Sequence, residues 1–281
     1  MAVRIVTDST ADIPLAQAQA LAITIVPLTV FFGEQAFLDG VELDNAGFYR
    51  KLRESKSLPR TSQPPPAAFQ EAYKNLISEG ADGILSVHLS SKLSGTYQSA
   101  CTARDTLPES MKKVPIAILD SCSISVGMSQ PIMHVAQGAK QGLSLEEIKV
   151  HVINELSRTH VLAVLDTLEF LKRGGRIGSA RAMLGNMLNV KPILALKDGE
   201  AIPLERPRTR SKAYARIAQL VSEMGKIESL CIAEASEEVG QQLAQAIREV
   251  YKGDIPFYKL GAVLGTHTGP GTAAVAVITA Q

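Results

Sequence analysis

Short runs of β-branched and aliphatic residues alternate along this chain with longer stretches whose apolar positions recur every three or four residues. The runs Val3–Thr7, Ile84–His88, Ile116–Asp120, Val161–Asp166, Leu230–Glu234 and Val275–Thr279 have the length and composition of buried strands. Between them, Phe69, Tyr73, Leu76 and Ile77 stand at i, i+4, i+7 and i+8, the spacing of one helix face, and Gly80 comes next as a stop signal. Ser144 with Glu147 three residues later forms a capping box that opens a helix reaching about Thr159. Ile217, Leu220, Val221 and Met224 make another apolar stripe, and Val239, Leu243, Ile247 and Val250 a further one. Strands separated by helices predict α/β layering with mainly parallel strands in the first half. Longer irregular stretches in the second half predict an α+β arrangement there. The boundary falls near Arg158–His160, giving an N-terminal α/β domain over 1–158 and a C-terminal α+β domain over 159–281.

With 281 residues, nearly half of them hydrophobic, the chain can bury a sizeable core without disulfides or metals. Cys101, Cys122 and Cys231 are odd in number and widely spaced, which fits free thiols in a reducing compartment. Met1 leads directly into a strand with no leader-like segment, and the apolar run Leu21–Phe32 is too short to span a bilayer. A cytoplasmic protein with no integral membrane segment is expected. The 29 basic and 28 acidic residues nearly cancel, so overall charge gives no argument for nucleic acid as a partner. The local balance differs. Between Lys172 and Arg216 stand 11 Lys and Arg against Asp198, Glu200 and Glu205, so one segment carries a basic face on an otherwise acidic body.

The chemistry-bearing segments lie directly after the first-half strands: Thr7-Asp8-Ser9-Thr10, then Leu89-Ser90-Ser91-Lys92-Leu93-Ser94-Gly95-Thr96, then Asp120-Ser121-Cys122-Ser123. Ligands in open α/β sheets bind outside the carboxyl ends of strands, and these ends share hydroxyl-rich loops. Ser94 and Gly95 open a helix, where Ser94 serves either as a cap or as part of an anion site with free amides. Thr61 and Ser62 precede a helix that takes Pro65 and Pro66 in its first turn, and their hydroxyls either cap it or bind an anion. His267 lies among Gly265, Gly269, Pro270 and Gly271, a backbone path that a plain connection rarely needs; a structural role and a site role stand level there. Leu171-Lys172-Arg173-Gly174-Gly175-Arg176-Ile177 sets three cations around a glycine pair but has neither the P-loop order nor a dinucleotide fingerprint. Ala182–Leu188 with Pro192–Leu194 is apolar and soft, suited to a wall against a flexible alkyl chain or to plain core. Ser94, His267 and Asp120 also offer the residue types of a serine hydrolase or acyltransferase, though Ser94 lacks the glycine that leads a nucleophile elbow.

Taken in order, Thr7-Asp8-Ser9-Thr10-Ala11-Asp12, Val26-Pro27-Leu28, Thr61-Ser62-Gln63-Pro64, Leu93-Ser94-Gly95-Thr96-Tyr97-Gln98-Ser99-Ala100, Asp120-Ser121, Leu171 to Ile177, Lys191-Pro192-Ile193 and His267-Thr268-Gly269-Pro270-Gly271 resemble the DegV family over essentially the whole chain. One departure is Ser129, where a glycine is expected. The resemblance implies a two-domain DegV-like fold with an apolar tunnel holding a long-chain fatty acid such as palmitate. It implies a lipid-binding protein with no cofactor, rather than an autonomous enzyme. By the same resemblance Thr61 and Ser94 hold the carboxylate, with Ser62, Gly95, His267 and Arg173 close by. Some members carry the acyl chain for a partner fatty-acid kinase that brings ATP, and Arg208 and Arg210 then match the kinase-facing surface. A regulatory protein whose lipid only stabilises the fold is the further alternative.

Overall fold

The computed structural model describes residues 2–183 and 190–281. In chain order its strands are β1 (Val3–Asp8), β2 (Ile23–Val26), β3 (Thr29–Phe32), β4 (Gln35–Leu38), β5 (Arg60–Ser62), β6 (Gly83–His88), β7 (Ile116–Asp120), β8 (Thr159–Val164), β9 (Ile193–Lys197), β10 (Glu200–Glu205), β11 (Ile227–Glu234), β12 (Phe257–Lys259) and β13 (Ala273–Thr279). The α-helices are α1 (Leu15–Ala20), α2 (Asn45–Glu54), α3 (Pro66–Ser78), α4 (Thr96–Asp105), α5 (Val126–Lys140), α6 (Leu145–Ser157), α7 (Glu169–Arg173), α8 (Arg210–Ser222), α9 (Glu237–Ile247) and α10 (Ala262–Thr268).

Four parallel strands in the order β2-β1-β6-β7 form the first sheet. Both faces are covered, so β6 is buried at every position, as a central parallel strand must be. Val3, Ile5, Leu85 and Val87 face α5 and α6, while Val6 and Ile84 face Phe69, Tyr73 and Leu76 of α3. Pro66 starts α3 and Gly80 takes φ +90° just past its end, so the helix starts and stops where its residues allow. The Ser144–Glu147 capping box is formed in full and opens α6.

The apolar run Leu21–Phe32 is two strands. Pro27 has no amide to donate, and the chain changes sheets around it. Residues before it extend the parallel sheet as β2, while those after it form the centre of a small antiparallel sheet, β4-β3-β5.

The second large sheet has the order β10-β9-β8-β13-β11-β12 and is antiparallel except for the β11–β12 pair. Its two faces differ in side-chain size. On β11 and β13, Leu230, Ile232, Val275 and Val277 pack on α8 and α9, while Cys231, Ala233, Ala274 and Ala276 point the other way. That second face packs against Val30, Phe32, Phe48 and Val126, residues from the first half of the chain. The two halves therefore share one apolar core, with α10 lodged between them.

Candidate functional site

A cavity of about 350 Å³ opens between the second sheet and the loops at the carboxyl ends of β6 and β7. Val161, Ala163, Leu194, Leu196 and Ala201 line its sheet side, and Leu89, Leu93, Ile124, Leu171 and Leu264 line the rest. Ala163, Ala195 and Ala201 on β8 to β10 help to leave the space, and its sheet side is apolar. Its volume falls in the usual range of small-molecule sites, roughly 300–1,000 Å³. Of the soft stretch Ala182–Leu188, only Ala182 and Met183 are within the described residues.

Polar groups gather at one end of this cavity: Thr61, Ser62 and Gln63 from β5 and its exit, Ser94 from the loop before α4, Arg176, and His267 from the last turn of α10. Thr61 does not cap α3, whose N-cap is Pro65 without a side-chain bond. Its Oγ1 instead lies 2.8 Å from His267 Nε2. Ser94 does not cap α4 either, since Gly95 occupies the N-cap position. The Ser94 hydroxyl accepts the Thr96 amide at 3.3 Å and pairs with Thr96 Oγ1 at 2.9 Å, which holds it at the mouth. Gly95 is not in the cavity wall. The space left by its missing side chain is taken by Gln63, whose amide atoms would lie 2.4 and 2.6 Å from a Cβ there.

His267 is fixed from several sides. Gly174 packs so closely that a Cβ there would stand 2.2 Å from Nδ1, and Nδ1 is buried without a partner among the described residues. Burial, with the nearby Arg176 charge, pushes the imidazole down to about 4, so the ring is neutral at physiological pH. The start of α10 is held by side chains from distant segments, because Gly261 at its N-cap has none of its own. The Gly261 amide donates to Asp12 Oδ1 at 2.8 Å and the Ala262 amide to Asp39 Oδ1 at 3.0 Å. Ser125 Oγ donates to Asp12 Oδ2 at 2.5 Å. Burial raises both carboxyls, Asp39 to about 6 and Asp12 well above the usual range.

The arginines divide differently from expectation. Arg173 is 62% exposed and its Nε donates to Glu169 Oε1 at 2.6 Å, so it faces outward. Arg176 enters the cavity wall instead, with Nε donating to the Leu93 carbonyl at 3.0 Å and Nη1 to the Gly174 carbonyl at 2.8 Å. Sequence pattern does not single out Arg176 or Gln63, although Glu169 and Arg173 at i and i+4 already mark Arg173 as one partner of a helix-surface pair. In the basic segment, Arg208 is exposed. Arg210 and Lys191 both donate to Asp166 Oδ1 at 2.6 Å. Burial raises the Asp166 carboxyl, but the two cations outweigh it and hold it below the usual range.

A hydrolytic triad is not assembled at Ser94. Asp120 accepts the Ser91 and Cys122 amides, and no bond links His267 to Ser94 or Asp120 among the described residues. A Ser–His–Asp chain does exist in the first sheet: Ser86 Oγ lies 2.7 Å from His88 Nε2, and His88 Nδ1 lies 3.0 Å from Asp8 Oδ2. Tyr73 adds a bond to Ser86 at 2.8 Å. All four residues have zero exposure. No substrate carbonyl reaches them, and the chain is a satisfied polar network inside the core.

A model of the DegV family, described as an uncharacterised protein family, matches residues 2–280. The chain belongs to the DegV family. It is 37% identical over 275 residues to a DegV domain-containing protein of Halalkalibacterium halodurans, covering 96% of each chain. A fatty-acid-binding DegV family protein from Thermus thermophilus has the same fold, with a TM-score of 0.90 and 33% identity over 100% of both chains. DegV of Bacillus subtilis, itself a fatty acid binding protein, gives a TM-score of 0.85 and 31% identity over 99% of this chain and 100% of that one. Among the described residues of this DegV protein, no helix is long and apolar enough to cross a membrane, and no group of three or more His, Cys, Asp or Glu is placed to hold a metal ion.

Proposed function

We propose that this protein binds a long-chain fatty acid, tail inward, and presents its carboxylate at the mouth of the cavity to a partner fatty-acid kinase. The observation that carries the reading is the junction of an apolar cavity with a small hydroxyl, imidazole and guanidinium cluster. Thr61, Ser94 and Ser62 supply hydroxyls to the carboxylate, with neutral His267 and the Arg176 guanidinium beside them. Each buried methylene stabilises by about 0.8 kcal/mol, so a sixteen-carbon tail gives a gross term of about 12 kcal/mol. The head group then needs only to be satisfied. Exposed Arg208 is the cation assigned to kinase docking, while Arg210 supports it through Asp166. Both fatty-acid-binding relatives share the fold, and the three scattered cysteines suit a reducing cytoplasm.

Organic extraction of the purified protein followed by mass spectrometry tests the reading. Near-stoichiometric long-chain fatty acid is expected. Absence of lipid, together with no uptake of palmitate or oleate, overturns it.

A further inference from the structure

His267 stands in the last turn of α10, and what fixes that helix along its axis lies at the other end. Gly265 presses α10 against α2, where a Cβ would meet Phe48 at 2.4 Å and the Tyr49 hydroxyl at 2.9 Å. That close approach leaves sliding and rotation of α10 to be set by its ends. At the start, Asp12 Oδ1 accepts the Gly261 amide at 2.8 Å, while Asp12 Oδ2 accepts Ser125 Oγ at 2.5 Å. One carboxyl therefore joins its own loop to segments 249 and 113 positions away. Asp39 Oδ1 takes the next amide of the helix, from Ala262, at 3.0 Å.

An N-cap serine or asparagine would satisfy the same helix-start amides from within α10, but it would leave the helix free to shift as a body. The clamp seen instead is costly to make. Asp12 and Ser125 both hold left-handed backbone, with φ of 54° and 51°, although neither is glycine. Such a conformation costs free energy and persists only where the surroundings impose it, most often beside a working site. The Ser125 amide also donates to the Thr10 carbonyl at 2.9 Å, so the two loops meet through main chain as well as side chain. Six residues at about 1.5 Å each carry the constraint about 9 Å along α10 to His267.

We infer that Asp12 is a positioning residue for the head-group site, setting through α10 where the His267 imidazole meets Thr61. This rests on the fatty-acid reading and deepens it. Asp12 is not among the residues that line the apolar cavity, so it acts through the helix and not on the ligand. Burial raises its carboxyl well above the usual range, which suits a role in hydrogen-bond geometry and not one in charge.

The test reads two ligands with one tail, palmitate and 1-hexadecanol, on delipidated full-length protein. The native chain is compared with Asp12→Ala, Asp12→Asn, Ser125→Ala and Val152→Ala, the last a buried position on α6 that controls for lost stability. Below every melting transition, the ratio of palmitate to hexadecanol affinity is expected to fall about tenfold in Asp12→Ala, as loss of one aligned head-group contact requires. The fall should be smaller in Ser125→Ala, which keeps the Gly261 bond. Asp12→Asn, whose amide can accept from Gly261 and donate to Ser125, should keep the native ratio. In the ligand-free proteins, the His267 Cε1–H nuclear magnetic resonance signal should move in Asp12→Ala and stay in place in Val152→Ala. An unchanged ratio and signal in Asp12→Ala overturn the positioning role and leave fatty-acid binding intact. If that variant does not fold, the same result in Ser125→Ala overturns it. An equal fall in ratio in Val152→Ala or in Asp12→Asn also overturns it. Failure of the native protein to bind palmitate removes the fatty-acid reading itself, while the signal comparison still tests the link from Asp12 to His267.

Discussion

Thr61 Oγ1 and His267 Nε2 lie 2.8 Å apart although 206 residues separate them in the chain. The bond ties an edge strand of the small sheet to the end of α10, and both elements exist in that place because Phe32, Phe48, Val263 and Leu264 share one core. The head-group site is therefore a product of tertiary packing. Replacing Thr61 by Val or Ser94 by Ala removes one hydroxyl each from the proposed carboxylate. Each change is expected to weaken palmitate binding by about 1–3 kcal/mol. Isothermal titration on delipidated protein measures this, and unchanged affinity in both variants would move the carboxylate elsewhere.

Gly174 is required by a neighbour. Its φ of −72° suits any residue, but a Cβ would meet His267 Nδ1 at 2.2 Å. In Gly174→Ala the imidazole must turn away from Thr61 or the chain around Gly174 must shift, at a cost of about 1–3 kcal/mol for overpacking. The expected result is loss of head-group affinity in titration, with far-ultraviolet circular dichroism unchanged. Affinity equal to the native protein's would show that His267 contributes nothing to the grip.

The basic segment separates lipid binding from partner binding. Arg208 is exposed and makes no salt bridge among the described residues, so Arg208→Glu should leave palmitate affinity unchanged. It should lower the rate of ATP-dependent acyl-phosphate formation by a fatty-acid kinase by at least about tenfold, as reversal of a docking charge does. Equal rates for both proteins would remove Arg208 from the docking surface. Arg210→Glu differs physically, because it puts a carboxylate beside Asp166 and leaves Lys191 to hold that group alone among the described residues. A fall in thermal stability is expected there as well as a fall in rate.

Local signals carried much of the fold. The strands at Ile84 and Ile116, the α3 stripe and the α6 capping box all arise from short-range patterning that tertiary structure had no reason to override. The β9–β10 hairpin is missing from the strands expected above, although Asp198-Gly199, both at positive φ, are the residues a tight two-residue turn needs. The split of Leu21–Phe32 turns on Pro27 and on two sheets competing for one apolar run, which periodicity cannot separate. The site was legible only as residue types. Nothing local distinguishes Thr61 as a cap from Thr61 as the partner of His267, because the deciding contact is long-range. Arg173 is separable locally through its i, i+4 pair with Glu169, but nothing local places Arg176, which lies beyond α7 and reaches the Leu93 carbonyl 83 positions away.

Protonation at the two ends of α10 should act on stability in opposite directions within one pH window. Asp39, near the start of the helix, has its carboxyl raised to about 6, chiefly by burial, and Asp12 shifts the same way. The folded protein thus holds these protons more tightly than the unfolded chain. The Asp39 contribution is full below about pH 4 and is lost as pH rises through about 6, and that of Asp12 is lost in the same direction. His267, at the other end, is lowered to about 4 from an ordinary value near 6.5. Its contribution is full above about 6.5 and is lost as pH falls toward 4. The native curve therefore sums opposed slopes, and single substitutions separate them. Relative to the native protein, Asp39→Asn should gain in melting temperature from pH 4 to pH 7.5, because the variant no longer carries a buried ionised carboxylate. His267→Gln should show its relative gain in the acid direction, since the native protein alone must keep a buried imidazole unprotonated there. Differential scanning calorimetry across pH 4–7.5 reads both differences. Two flat difference curves would show that neither end of α10 titrates in place.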